Sequence, residues 1–137
     1  MKRYVLDACA LIAFINDEEG AEIVERILVQ ALTGECRIAM NKFNLLEVHY
    51  GYLREKGVAF ADNILKVVEN SDIHIFDILT NELFDCASSF KASYKVSLAD
   101  AIALAQATVV SATLITADHH EMDEIERDGK LDFLWVR

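Results

Sequence analysis

Hydrophobic and polar positions alternate along this chain in blocks, and each block predicts one element. The most apolar lies between Val96 and Ala117: VSLADAIALAQATVVSATLITA, twenty-two residues with a single charge, Asp100. Its Ala/Leu/Ile-rich first part predicts a helix apolar on nearly every face, and Thr113–Thr116, short and β-branched, predicts a buried strand. The uncharged run 101–117 is too short and too rich in Gln, Ser and Thr to span a membrane.

Before it, Arg3–Leu6 reads as a strand ending at Asp7, and Ala8–Ile15 as a helix. Asn16–Gly20 is turn-like. Ala21–Leu32 places Ile23, Val24, Ile27, Leu28 and Leu32 on one side of a helix that Gly34 stops, and Cys36–Met40 predicts a second strand. In Lys42–Lys56, Phe43, Leu46, Tyr50 and Leu53 recur at helical spacing, an apolar stripe that Glu47 borders. Val58–Glu69 is a further helix, with Phe60, Ile64, Leu65, Val67 and Val68 as its buried side. Ile73–Phe76 alternates into a third strand. Glu82–Tyr94 aligns Leu83, Ala87, Phe90 and Tyr94. After Asp118 a polar stretch holds one helical turn, and Leu131–Val136 closes the sheet.

Strands alternating with helices imply an α/β fold with a parallel sheet covered on both faces. Ligands of such sheets gather at the carboxyl ends of the strands, where strand order reverses. Asp7 and Asp118 both fall on that rim.

Length and charge narrow the options. With 137 residues the chain has the size of one domain, 1–137. Its 53% hydrophobic content predicts apolar surface that a second copy or another chain covers. Thirteen basic against 23 acidic residues give a net charge of −10, which argues against a generic basic nucleic-acid binder, so a polyanionic substrate needs a cation at the site. Cys9, Cys36 and Cys86 are widely separated and odd in number, which suggests neither zinc nor a disulfide framework and fits a reducing, cytoplasmic setting. The first fifteen residues reach an acid too early for a signal peptide, so no export is expected.

Each acid has an ordinary explanation. Asp7 can cap the first helix, Ser97-Leu-Ala-Asp100 and Asp118-His-His-Glu121 match capping boxes, and Glu47 can pair with a lysine. Brought together they would not be ordinary. Four carboxylates within about 5 Å repel by roughly 3 kcal/mol per pair at an effective dielectric of about 20. Six such pairs exceed the ~5–15 kcal/mol by which a domain is stable. Some acids must then stay protonated, or a divalent cation must neutralise them, and an all-oxygen set selects Mg²⁺ or Mn²⁺.

The segments VLDACALIAF, NLLEVHYG, VSLADAIALAQA and LITAD, in this order over nearly the whole chain, resemble the four acidic motifs of PIN-domain ribonucleases, most closely the short VapC-like toxins of toxin–antitoxin pairs. By motif, Asp7, Glu47, Asp100 and Asp118 match the acidic quartet, and Thr116 matches the hydroxyl residue two positions before the last acid. Cys9 stands where the family often has Ser or Thr. The resemblance implies a three-layer α/β/α sandwich on a five-stranded parallel sheet, Mg²⁺- or Mn²⁺-dependent cleavage of RNA, homodimerisation, and neutralisation by a cognate antitoxin.

On that reading Asp7 and Asp100, with Asp118 directly or through water, hold the metal, and Glu47 orients or deprotonates a water. Lys91 and Lys95, four apart, form a local basic patch that either touches RNA phosphates or is a solvated face. Glu121 and Asp123 are candidates to help Asp118 hold a second ion. His119 and His120 point apart on a turn, and His49 and His74 read as structural. Three alternatives compete: a phosphoryl-accepting hydrolase, which usually has a second acid where Cys9 stands; a receiver domain with Asp77 as acceptor; and a non-catalytic PIN-like binding module.

Overall fold

The computed structural model describes residues 1–137. Five parallel strands, β1 (Lys2–Leu6), β2 (Cys36–Asn41), β3 (Ile73–Phe76), β4 (Thr113–Thr116) and β5 (Phe133–Trp135), form one sheet in the order β3-β2-β1-β4-β5. Seven helices cover it: α1 (Ala8–Ile15), α2 (Ala21–Leu32), α3 (Lys42–Lys56), α4 (Val58–Asn70), α5 (Asn81–Ser93), α6 (Leu98–Val109) and α7 (His119–Arg127). No helix is long and apolar enough to cross a membrane.

Alternation along the central strands splits the core in two. Leu6, Ile38, Met40 and Ile115 pack with α1 to α4, while Val5 and Leu114 pack with α5, α6 and α7 on the other face. This is the expected α/β/α sandwich. Helix α6 is its densest part, because Ala101 to Ala107 are all buried and small side chains let the helix lie close to its neighbours.

Several elements differ from expectation. The stripe Phe43, Leu46, Tyr50 and Leu53 faces outward, 40–55% exposed, and α3 buries Asn44, Leu45, Val48 and Tyr52 instead. Spacing marks an apolar face but does not say which neighbour it meets. On α4 the buried side is Ala61, Ile64 and Val68, with Phe60, Leu65 and Val67 exposed, and Leu32 of α2 is also exposed. Helix α7 runs nine residues, more than the single turn expected, held by fully buried Met122 and Ile125. Strand β5 is half the expected length.

Strand order reverses between β1 and β4, so the crevice of the fold opens at their carboxyl ends. There the Asp7 amide still donates to the Ile115 carbonyl at 3.2 Å, tying the end of β1 to β4.

Candidate active site

Asp7 is the residue at which β1 becomes α1. Its Oδ1 accepts the Ala10 amide at 2.8 Å, so it is the N-cap of α1, and the side chain is only 2% exposed. Its Oδ2 is buried with no hydrogen-bond partner. A lone buried carboxylate oxygen is costly when charged. Burial, and more weakly the nearby Asp100 and Asp118 carboxylates, push the Asp7 pKa up to about 7, against the neighbouring Thr116 hydroxyl and the Ala10 amide, which favour ionisation. Thr116 is fully buried, and its hydroxyl accepts the Asp118 amide at 3.1 Å, which places it between the two acids without hydrogen-bond geometry to Asp7.

Asp118 caps α7, its Oδ1 accepting the Glu121 amide at 3.2 Å. Ser97 caps α6, its hydroxyl accepting the Asp100 amide at 3.1 Å. The capping explanations therefore hold, and each occupies only part of the group concerned. Asp100 is raised to about 6 by burial, then by Asp118, Glu121 and Glu47, with the Ser97 hydroxyl opposing. Glu47 is half-buried and raised by desolvation.

Asp100 and Glu47 meet because α3 starts on the rim, directly after β2. In its first turn buried Asn44 donates its amide to the Ala99 carbonyl at 2.9 Å, pinning the first turn of α6 there. Glu47 lies three residues after Asn44 and so emerges on the same side. Two turns further along α6, Asn41 Nδ2 donates to buried Gln106 Oε1 at 2.8 Å, a second polar tie between the rim and α6.

The four acids thus share one electrostatic neighbourhood without closing onto a point: no three His, Cys, Asp or Glu side chains stand together as a ready metal cage. Glu121 joins them, with a buried and unpartnered Oε2. Asp123 does not, since it pairs with His119 Nδ1 at 2.8 Å. His119 also donates from Nε2 to the Arg137 carbonyl at 2.7 Å and stacks on Trp135 at 3.8 Å, a structural role. His49 pairs with Asp62 and His74 packs edge-on to Phe76. Cys9 is half-buried, and burial beside Asp7 lifts its thiol to about 11, so it stays neutral.

The basic patch is less available than its spacing suggests. Lys91 Nζ donates to the Val96 carbonyl at 2.6 Å, while Lys95 is exposed. Sequence reasoning missed Asn44 and Gln106, whose partners lie 55 and 65 residues away, and it missed Arg137. The signal for Arg137 was topological: parallel strands end on one rim, so whatever follows β5 emerges beside whatever follows β4.

A parallel sheet carrying one buried and several half-buried carboxylates at its switch point defines an acidic-rim α/β fold. A family model described as PIN domain matches residues 4–128. The chain belongs to the PIN-domain family. Among solved structures it is similar to DNA-bound VapBC from Salmonella typhimurium, with 15% identity, all of both chains covered and a TM-score of 0.75. It is also similar to VapBC2 from Rickettsia felis bound to a promoter DNA fragment, at 16% identity, 96% and 97% coverage and 0.73. A toxin–antitoxin complex from Klebsiella pneumoniae gives 18%, 98% of each chain and 0.71. No curated protein shows significant sequence similarity to the chain.

Proposed function

We propose that this protein is a divalent-metal-dependent endoribonuclease and the toxin of a toxin–antitoxin pair. The observation that carries the reading is Asp7 Oδ2, a carboxylate oxygen buried without a partner where Asp100 and Asp118 also press their charge. An oxygen so placed is stabilised by a cation. The donors fit a hard divalent ion in kind, and a site that is not a closed cage suits Mg²⁺, which keeps several waters and takes one or two carboxylates.

Asp7 and Asp100 would hold Mg²⁺ or Mn²⁺, with Asp118 ligating directly or through water. When bound, such an ion supplies charge neutralisation for a phosphodiester and acidifies water. Thr116 positions Asp118 by accepting its amide. Glu47, half-buried and made more basic by desolvation, accepts the proton of the attacking water as its oxygen adds to phosphorus and the bond to the leaving nucleoside oxygen breaks. Lys91 and Lys95 offer the RNA backbone a positive edge, Lys91 by exchanging the Val96 carbonyl for phosphate.

The likeness to toxin–antitoxin complexes supports an antitoxin partner. Exposed Phe43, Leu46, Ile78, Leu79, Phe84 and Leu98, around an apolar groove of about 850 Å³, support a second chain on this face, in a homodimer or with the antitoxin. The test is incubation of purified protein with single-stranded RNA in Mg²⁺, Mn²⁺ or EDTA, beside Asp100→Asn. Cleavage that needs metal and Asp100 supports the reading. Equal cleavage by the variant, or intact RNA in Mn²⁺, overturns it.

A further inference from the structure

The geometry points to Arg137 as a phosphate-binding residue of the RNA site, with Glu18 as the carboxylate it exchanges for phosphate. This rests on the nuclease reading for its substrate but on separate residues for its evidence. A chain of net charge −10 that handles RNA needs a cation close to its acids. Lys91, held by the Val96 carbonyl, and Lys42, which follows β2, both line the apolar groove.

Arg137 is where the topology supplies one. Thr116 is opposite Trp135 in the β4–β5 register, and the Val136 amide donates to the Thr116 carbonyl at 3.1 Å. The next residue therefore emerges on the rim beside Asp118. His119, which directly follows Asp118, fixes it there through the Arg137 carbonyl at 2.7 Å. From the other side the α1–α2 turn closes in. Gly20, at φ +95°, lies so close that a Cβ would sit 2.1 Å from the Val136 carbonyl oxygen. Glu18 of the same turn takes Arg137 Nη1 at 3.0 Å, and Asn16 steadies Glu18 at 3.3 Å.

Both partners of the ion pair are more than a third exposed, at 34% and 39%. Exposed pairs of this kind contribute little, so a phosphate can displace Glu18 easily. A guanidinium fork then meets two phosphate oxygens at once, which a lysine cannot do.

The test is binding of a labelled single-stranded RNA by fluorescence anisotropy across a salt series in Mg²⁺, with cleavage of the same RNA followed in parallel. Arg137→Gln should weaken binding about tenfold and lower the slope of log affinity against log salt by about 0.7, one phosphate contact on a single strand. Arg137→Lys should restore the slope but not all of the affinity. Glu18→Gln should tighten binding severalfold. Both Gln variants break the same ion pair, so a purely structural clamp would move them in the same direction. Opposite shifts support the phosphate contact; parallel shifts, or an unchanged slope in Arg137→Gln, overturn it. If RNA stays intact with the wild type while the opposite shifts persist, the nuclease reading fails and the contact stands.

Discussion

Asn44 and Ala99 are joined by a buried 2.9 Å hydrogen bond from side-chain amide to main-chain carbonyl, and through it the first turns of α3 and α6 share one edge of the sheet. Glu47 and Asp100 each lie next to an end of this bond, so their separation depends on it. Asn44→Ala leaves the Ala99 carbonyl without that partner, and the loss should destabilise the fold by about 1–3 kcal/mol. Urea denaturation with an unchanged m-value measures it. RNA cleavage should fall further than the unfolded fraction explains, because Asp100 is no longer fixed against Glu47.

Asp7 gives the fold a pH dependence whose sign follows from its environment. In the folded protein its pKa is about 7, above its ordinary value near 4, so the folded chain holds a proton that the unfolded chain has released. Metal-free stability should decline from about pH 4 to about pH 7, by the order of a few kcal/mol, and level off above. Asp7→Asn keeps an oxygen for the Ala10 amide and removes the charge. In EDTA at pH 8 it should be more stable than wild type, with the difference vanishing near pH 4. Urea midpoints at pH 4, 6 and 8 check this.

Gly20 and Val136 define a contact that tolerates no side chain. Gly20→Ala meets both a backbone φ of +95° and the Val136 carbonyl oxygen, so the edge between α2 and β5 must shift. A loss of more than about 1 kcal/mol is expected, with faster amide exchange at Val136, whose partner is the Thr116 carbonyl.

Lys95 is exposed and free of the bond that holds Lys91. If the α5 edge meets RNA, Lys95→Ala should lower the salt slope of RNA binding by about 0.7 while thermal stability stays within about 0.5 kcal/mol of wild type. An unchanged slope assigns this lysine to a solvated face.

Much of this architecture is written locally, and the exceptions share a physical cause. Helix α6 could be read because Ser97 caps it and because seven consecutive buried residues leave no alternative to the interior. Asp7 and Asp118 could be placed on one rim because parallel strands allow nothing else. The inward side of α3 could not be read, since Asn44 is buried for the sake of a carbonyl 55 residues away while Phe43 and Leu46 remain outside. Helix α7 hides behind its charges, with Met122 and Ile125 its only buried residues. The acids were expected within one tight cluster. The structure instead makes them neighbours through burial and charge, most plainly at Asp7 and Asp100.

Manganese binding followed by electron paramagnetic resonance, on wild type, Asp7→Asn and Asp100→Asn, addresses the acidic pocket most directly. Wild type should take up Mn²⁺ and gain thermal stability with it, and each variant should remain folded while binding at least tenfold more weakly. Equal uptake by all three would contradict the account.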